Sequence, residues 1–253
     1  MQSVKEIEKI IKNLKPEEIP EGVRVFENDE RTSVKKLVLA AYKRYNKYLD
    51  ETERVKALWT YENDLFDEGY QYVCGVDEVG RGPLAGPVVT AAVILKKGCF
   101  IPYINDSKKL SEKRREELYD IIMNEAVSVS IAMESHEVID EINILQATLR
   151  AMNKAVSGLE TRADYVLVDA VTIPGLAVQQ KGIIKGDGKS ISIAAASIIA
   201  KVTRDRLMVK EAENYPGYGF EKNKSYGSAE HIRAIKEKGL CPIHRRSFTK
   251  GFV

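Results

Sequence analysis

The sequence has few of the residues from which the commoner protein sites are built. It contains three cysteines, Cys74, Cys99 and Cys241, which lie far apart, and only three histidines. No C-x-x-C pair occurs, and the histidines do not complete a zinc-binding pattern. We therefore expect reduced thiols and no zinc site.

Long apolar runs and two familiar catalytic motifs are also absent. No run reaches the roughly 20 residues that span a membrane, and residues 1–6 lack the apolar core of a signal peptide. There is no G-x-S-x-G, and the Gly-Lys-Ser at residues 188–190 lacks the first glycine of a phosphate loop because Ile183 stands there. We expect a cytoplasmic protein without membrane contact, a serine nucleophile or a nucleoside-triphosphate loop.

Charge of one sign is scarce in the chain as a whole but not in its parts. The net charge of +2 is made up of −2 over residues 1–70, −4 over residues 71–180 and +8 over residues 181–253. A basic segment is the expected contact for a polyanion such as nucleic acid, although a solvated surface gives the same pattern. The acidic residues concentrate in the middle of the chain.

Residues 1–67 are predicted to form a helical N-terminal extension. Hydrophobic periodicity indicates helices over residues 3–14, 32–49 and 51–66. No acid lies between Arg31 and Lys47, and the side of the second helix opposite its apolar face carries Lys35, Lys36, Lys43 and Lys47. This basic face is either an accessory contact to a phosphate backbone or an ordinary solvated surface, and both readings stay open.

Residues 68–253 are predicted to form an α/β domain. Apolar runs at residues 70–77, 87–95, 126–133, 165–168 and 177–180 indicate strands, and they alternate with helical patterns at 112–124, 139–159, 190–214 and 228–238. Strands first, then strands alternating with helices, are typical of a mixed β-sheet flanked by helices. The C-terminal part of the domain is predicted to be helical.

Four acidic residues stand at strand ends or glycine bends. Asp77 and Glu78 interrupt a buried strand, Asp169 ends another, and Asp187 lies in a glycine bend ahead of a helix. A buried carboxylate without a partner costs several kcal/mol, so a divalent metal is one explanation and core salt bridges are another. Converging carboxylates suit Mg²⁺ or Mn²⁺, and two such ions about 4 Å apart can assist a phosphoryl displacement.

Five blocks of the sequence resemble the signature of ribonuclease HII and occur in the order found in that family. Together they cover roughly residues 72–248. They are V-D-E-V-G-R-G-P-L-A-G-P-V-V at 76–89, N-D-S-K-K-L-S at 105–111, K-G-D at 185–187 followed by S-I-A-A-A-S-I-I-A-K-V-T-R-D at 192–205, Y-P-G-Y-G-F at 215–220, and H-R-R-S-F at 244–248.

The resemblance implies an RNase H-like fold and a metal-dependent endonuclease that acts on RNA joined to DNA. It implies two ions, Mg²⁺ or Mn²⁺, held by Asp77, Glu78, Asp169 and Asp187. The substrates implied are RNA–DNA hybrids and duplex DNA with an embedded ribonucleotide, which would be cut on its 5′ side to leave a 3′-hydroxyl and a 5′-phosphate. Such an enzyme would serve ribonucleotide excision repair and DNA replication.

The resemblance also implies how the substrate would be read. The bend formed by Gly80, Arg81 and Gly82 would approach the ribose 2′-hydroxyl, the group that separates RNA from DNA. Tyr226 would stack on the deoxyribose beyond the junction, with Ser225 standing where the family has glycine. The expected contacts to the nucleic-acid backbone, each of which could equally be a surface charge or a structural pair, are Lys108, Lys185, Lys201, Arg204 and the Arg245–Arg246 pair.

Two alternatives remain beside this hypothesis. One is a ribonuclease HIII-like hybrid nuclease, against which Arg81 and the helical residues 1–67 argue, because that sister family lacks this arginine and has a strand-rich N-terminal domain. The other is a non-catalytic hybrid-binding module, against which the complete set of four acids argues. We expect a monomer, and residues 249–253 lack the glutamine and paired aromatics of a sliding-clamp motif.

Overall fold

The computed structural model describes residues 2–252. Within that range the chain forms two compact units, which divide between Ala57 and Leu58. The boundary predicted from the sequence, between residues 67 and 68, lies one helix later, at the end of Thr60–Asp67. That helix belongs to the second unit, because its Leu65 packs in one apolar cluster with Val73 and Ile193.

The first unit is helical, as the sequence predicts. It comprises α1 (Val4–Asn13), α2 (Ile19–Arg24) and most of α3 (Thr32–Leu58). Ser3 begins α1 with a reciprocal capping box with Glu6. The apolar faces of the three helices meet in a core made of Ile7, Ile11, Ile19, Val23, Phe26, Val34 and Ala41.

Helix α3 differs from the prediction because it does not break near residue 50. The segment contains no glycine or proline, and the Thr52 hydroxyl donates to the Tyr48 carbonyl one turn earlier, at 2.8 Å. Nothing in the local sequence therefore ends the helix before Leu58.

The second unit contains a five-stranded mixed sheet flanked by helices, which confirms the predicted fold class. The strands are β1 (Val73–Val79), β2 (Val88–Leu95), β3 (Ala126–Glu134), β4 (Tyr165–Asp169) and β5 (Gln179–Ile183), in the spatial order β3-β2-β1-β4-β5. The pairs β1–β2 and β2–β3 are antiparallel, whereas β1–β4 and β4–β5 are parallel. The helices are α4 (Thr60–Asp67), α5 (Glu112–Glu125), α6 (His136–Ile142), α7 (Ile144–Ser157), α8 (Ile191–Asn214), α9 (Phe220–Asn223), α10 (Ala229–Lys238) and α11 (Arg246–Thr249).

Two elements have other boundaries than the sequence predicts. Strand β1 continues through Val79, so Asp77 and Glu78 lie inside the strand rather than at its end. The predicted helix over residues 139–159 is two helices, because Asn143 takes a left-handed φ of 67° and its side chain accepts from the amides that begin α7.

Helix α8 lies directly against the central strand. A Cβ built on Gly75 would stand 2.0 Å from the carbonyl carbon of Ser192, so only glycine allows the first turn of the helix to approach β1 this closely. The first half of the helix, residues 191–200, is buried on all sides, whereas its second half carries its charged residues. Among the helices that the structure describes, none is both long and apolar enough to cross a membrane.

Candidate active site

The sheet brings three of the four predicted acids to neighbouring positions. Val76 of β1 pairs with Val168 of β4, so the residues that follow, Asp77 and Asp169, stand on adjacent parallel strands. Glu78 follows Asp77 on the same strand. The structure therefore gathers residues from positions 77 and 169 through strand pairing alone.

The fourth acid reaches the same place through a turn. Asp187 lies in the single 3-10 turn Gly186–Gly188, which follows β5 and precedes α8. The amide of Gly186 donates to Oδ1 of Asp169 at 2.7 Å, which ties this turn to the end of β4. A Cβ on Gly186 would meet Ile193 at 2.6 Å, so glycine keeps the turn close to the helix.

Burial and neighbouring acidic charges raise the pKa values of Asp77, Glu78 and Asp187. Burial, followed by the neighbouring Glu78 charge, raises the pKa of Asp77 well above its usual range; its side chain also accepts from Ser197. Burial raises the pKa of Glu78, with the Asp169 charge acting in the same direction. Burial raises the pKa of Asp187 as well, helped by Asp106 and Asp169.

Asp106 is an acid of this cluster that the sequence analysis did not single out. It begins the short 3-10 turn Ser107–Lys109, and its Oδ1 accepts from the amide of Lys108 at 2.9 Å. Its carboxyl also lies close enough to contribute to the raised pKa of Asp187. The available signal was its place in the N-D-S-K-K-L-S block.

The donor set fits a hard divalent cation in its chemistry. All the cluster's ligand atoms are carboxylate oxygens. Its counter-charges include Arg81, whose Nη1 lies 3.6 Å from Oε1 of Glu78, Lys109, whose Nζ lies 3.8 Å from Oδ2 of Asp106, and the exposed Lys108. Burial opposes a charge on Lys108, but the surrounding acids together raise its pKa. Across residues 2–252, however, no three His, Cys, Asp or Glu side chains are already grouped as a metal cage. The side chains would therefore have to turn toward an ion to share it.

The glycine bend and the predicted stacking tyrosine face each other. Gly80 has a φ of 97°, which favours glycine, and Arg81 is exposed. A Cβ on Gly82 would stand 3.9 Å from Cε1 of Tyr226, whose side chain is 40% exposed. Residues 82 and 226 thus come together beside the acids of β1.

The predicted basic contacts fall into two groups. Lys108 and Lys185 are exposed, whereas Lys201 is half-buried and pairs with Oδ1 of Asp205 at 2.7 Å. The ammonium of Lys201 lies 5.9 Å from the centre of the Tyr226 ring. These three lysines all lie near residues of the proposed site.

Arg204 and Arg245 correct the sequence-based expectation of a direct contact with nucleic acid. Both side chains are fully buried, and their guanidinium groups donate to main-chain carbonyls. A phosphate cannot reach either group in this arrangement. Arg246, by contrast, is exposed. Arginines of this kind look alike in sequence, because burial depends on contacts far along the chain.

Glu62 is a second residue that the sequence analysis did not identify. It lies on α4 and is 1% exposed, and its Oε1 accepts from the Ser190 hydroxyl at 2.5 Å and the Ser192 amide at 3.0 Å. Burial raises the pKa of Glu62. The carboxyl therefore caps the start of α8, whose N-cap residue, Ser190, lies three residues beyond Asp187.

Comparison with known proteins agrees with this architecture. A family model described as Ribonuclease HII matches residues 74–251, and one described as Ribonuclease HII N-terminal domain matches residues 3–66. Over 228 residues the chain is 59% identical to a protein named Ribonuclease HII from Lachnoclostridium phytofermentans, covering 90% of this chain and 89% of that protein.

Two solved structures share the fold. Ribonuclease H2 from Pyrococcus horikoshii OT3 aligns with a TM-score of 0.59 and 28% identity, over 70% of this chain and 93% of that one. Ribonuclease HII of a PCNA:RNase HII complex from Archaeoglobus fulgidus aligns with a TM-score of 0.58 and 26% identity, over 71% of this chain and 94% of that one.

The mixed sheet, with acids on its central strand and on the adjoining parallel strand, defines an RNase H-like nuclease, an enzyme that acts on nucleic acid. The sequence comparisons narrow this class. The chain belongs to the ribonuclease HII family, a family of endonucleases. The resemblance inferred from the five sequence blocks is thereby confirmed.

Proposed function

We propose that this protein is a metal-dependent endonuclease that cuts RNA in RNA–DNA hybrids and incises duplex DNA on the 5′ side of a single embedded ribonucleotide. The products would carry a 3′-hydroxyl and a 5′-phosphate. One observation carries the proposal: the acids of β1 and β4 lie on adjacent strands, and Gly82, which faces Tyr226, follows Glu78 of β1 by only four residues. The acids, which would cut the phosphodiester, and the Gly82–Tyr226 pair, which would contact the sugars, would then act on neighbouring nucleotides of one nucleic-acid strand.

The four acids supply the oxygen ligands. Asp77, Glu78, Asp169 and Asp187 would hold Mg²⁺ or Mn²⁺, which when bound activates water and stabilises the leaving oxygen. The raised pKa values of Asp77, Glu78 and Asp187 support this role, because a bound cation offsets the cost of burying neighbouring carboxylates. Lys108, exposed beside these acids, would contact the phosphate.

The Gly80–Arg81–Gly82 bend would examine the ribose. Gly82 has no side chain and is not crowded by its neighbours, so the backbone can come close to a 2′-hydroxyl. The partly exposed Tyr226 ring would stack on the sugar that follows. A deoxyribose at the first position would leave the bend without a hydroxyl to bind.

The experiment uses three labelled duplexes of one sequence: one with a single ribonucleotide, one with an RNA strand, and one of DNA only. With Mg²⁺ or Mn²⁺, we expect cleavage of the first two, and extension of the nicked product by a DNA polymerase would establish the 3′-hydroxyl. Cleavage of the DNA duplex alone, or of no duplex with either metal, would reject the proposal.

A further inference from the structure

Two buried arginines without carboxylate partners are the least expected feature of the second unit. Arg204 and Arg245 are both fully buried, and neither is paired with an acid among the described residues. Burial lowers the pKa of Arg204 to about 10 and that of Arg245 to about 9, and for Arg245 the Arg204 charge acts in the same direction. Burying two cations near each other is costly, and the hydrogen bonds of both guanidinium groups to main-chain carbonyls offset part of that cost.

Those hydrogen bonds converge on the glycine bend. Arg245 donates from Nη2 to the Gly80 carbonyl at 2.6 Å, from Nη1 to the Arg81 carbonyl at 3.1 Å and from Nε to the Gly86 carbonyl at 2.9 Å. A guanidinium presents five donors in a rigid fork, so it fixes several carbonyls at once. Arg245 therefore holds the bend from inside the protein.

Arg204 joins the exit of the same bend to the segment before Tyr226. Its guanidinium donates to the Ala85 and Pro87 carbonyls, at 3.0 and 2.9 Å, and to the Lys224 carbonyl at 2.9 Å. Nη2 also donates to the hydroxyl of Ser225 at 2.9 Å. One side chain thus bridges the two segments that face each other across the site.

Ser225 completes this bridge at a strained backbone position. It is fully buried with a left-handed φ of 66°, a conformation that costs a non-glycine residue about 1 kcal/mol. Its hydroxyl donates to the Ala85 carbonyl at 2.7 Å, and its carbonyl accepts from the Leu84 amide at 2.8 Å. The hydroxyl of Ser225, at a position where the family has glycine, thus makes hydrogen bonds that a glycine could not make.

A pair of buried histidines holds Tyr226 from the other side. The Cys241 amide can only donate, so Nδ1 of His244, 2.9 Å away, is an acceptor and the ring's proton is on Nε2. That Nε2–H then donates to Nε2 of His231 at 3.0 Å. His231 must consequently carry its own proton on Nδ1, from which it donates to the Tyr226 carbonyl at 2.9 Å.

We propose that Arg204, Arg245, His231 and His244 are positioning residues, which hold the Gly80–Gly82 bend and Tyr226 at a fixed separation and thereby set the preference for a ribonucleotide next to DNA. The inference rests on the proposed function. None of the four needs to touch the substrate. Their effect follows because a displacement of about 1 Å between two groups that grip one substrate can cost about a hundredfold in rate.

Two substitutions of His231 test the histidine side of this network. Asn at position 231 can still donate to the Tyr226 carbonyl from a position close to that of Nδ1, whereas Leu cannot donate at all. The measurement is the ratio of kcat/KM for the single-ribonucleotide duplex to that for the RNA–DNA hybrid. We expect His231→Leu to reduce this ratio about tenfold and His231→Asn to restore most of it. His136→Leu is the control, because in the described part of the chain the His136 ring pairs with Glu137 and shares no hydrogen bond with the other two histidines.

A double-mutant comparison separates positioning from mere stability. In a Tyr226→Ala background, His231→Leu should change the ratio no further, because the ring that His231 positions through the main chain is gone. His244→Asn keeps an acceptor for the Cys241 amide but breaks the link to His231, so it should lower the ratio even if His231→Leu fails to fold. Arg245→Lys, which keeps the charge but not the fork, tests the bend in the same assay.

The outcomes are distinguishable. If the variants fold and lower only the melting temperature, with the ratio unchanged in wild-type and Tyr226→Ala backgrounds, the positioning role is wrong. If the wild-type protein cuts neither ribonucleotide substrate, the proposed function itself fails. Wild-type cleavage together with an altered ratio in His244→Asn or Arg245→Lys supports the inference.

Discussion

The ring of Tyr226 lies beside the exposed Gly82, and a Cβ at position 82 would stand 3.9 Å from its Cε1 atom. That spacing is an ordinary van der Waals contact, so the protein itself has room for a methyl group there. The glycine therefore does not serve the fold. The missing side chain therefore matters only for a ligand that approaches the backbone of residue 82.

Replacing Gly82 by alanine should accordingly impair substrate reading without unfolding the protein. We expect the melting temperature of Gly82→Ala to stay within about 2 °C of wild type, because the change is nearly neutral in free energy. Cleavage at a single ribonucleotide should fall at least about tenfold, because the methyl group occupies the approach to the 2′-hydroxyl. Steady-state kinetics and a thermal melt measure the two effects.

Gly80→Ala is the matched control in the same bend. Its Cβ would stand 2.4 Å from Nε of Arg204 and 2.8 Å from the Pro87 carbonyl oxygen, at a φ of 97°. We expect it to lower the free energy of unfolding by about 3 kcal/mol. Equal stability losses in the two variants would contradict the expectation that residue 82, unlike residue 80, has room for a methyl group.

Asp77→Asn should abolish cleavage and also make the metal-free protein more stable. Burial and the Glu78 charge disfavour the Asp77 carboxylate, so a neutral amide removes that cost at neutral pH. Activity should fall more than about a hundredfold, with hybrid binding retained. Thermal melts without metal measure the change in stability. Melts with Mn²⁺ test the ligand role, because the wild type should gain more stability from the metal than the variant does.

Glu62→Gln provides the comparison for Asp77→Asn. Glu62 is another buried carboxyl with a raised pKa, but it caps α8 and does not belong to the acid cluster. Its substitution should leave the stabilisation by Mn²⁺ unchanged. A loss of metal stabilisation in Glu62→Gln, or none in Asp77→Asn, would argue against the assignment of the ligands.

The buried histidine pair should make the fold sensitive to acid. Burial, followed by the facing His231, lowers the pKa of His244 from 6.5 to about 4. Between pH 6.5 and 4 the unfolded chain binds a proton that the folded chain does not, so stability is full above about pH 6.5 and is lost as the pH falls toward 4. We expect His244 to account for a loss of about 2 kcal/mol, measured by denaturant titrations. The difference between wild type and His244→Asn should shrink across this range, and a constant difference would contradict the prediction.

The lysines of α3 should contribute to binding through charge alone. Lys36, Lys43 and Lys47 are exposed on this helix of the first unit. If they contact phosphates, replacing all three by alanine should reduce the slope of log affinity against log salt by about 2 to 3. Replacing Lys5, Lys9 and Lys12 of α1 removes the same charge as a control. An equal change of the salt slope in both triple variants would show a general effect of net charge and would contradict a specific contact by α3.

Periodic patterns made the sheet and the acids predictable from the sequence. The apolar runs ending near Asp77 and Asp169 indicated buried strands, the second of them parallel, and the structure shows that the two strands pair with each other. Local signals also placed α1, α5 and α8 within a residue or two of their observed ends.

The parts that escaped prediction depend on distant backbone contacts. Arg204 reaches the Pro87 carbonyl, 117 residues away, and the carbonyls it binds carry no side-chain signal in the sequence. Glu62 lies 130 residues before the Ser192 amide that it caps. The break at Asn143 arises from a left-handed residue that a helical pattern does not reveal.

The distance in sequence between Gly80 and Arg245 also fixes an order of events during synthesis. The ribosome must add 165 more residues after Gly80 before the arginine that holds its carbonyl exists. At about 5–20 residues per second, that interval is roughly ten to thirty seconds. The last strand, β5, ends at Ile183, so a nascent chain has every strand of its sheet well before its glycine bend can be secured. On the proposed function, discrimination between sugars would therefore be acquired late, after the acids of the sheet are already in place.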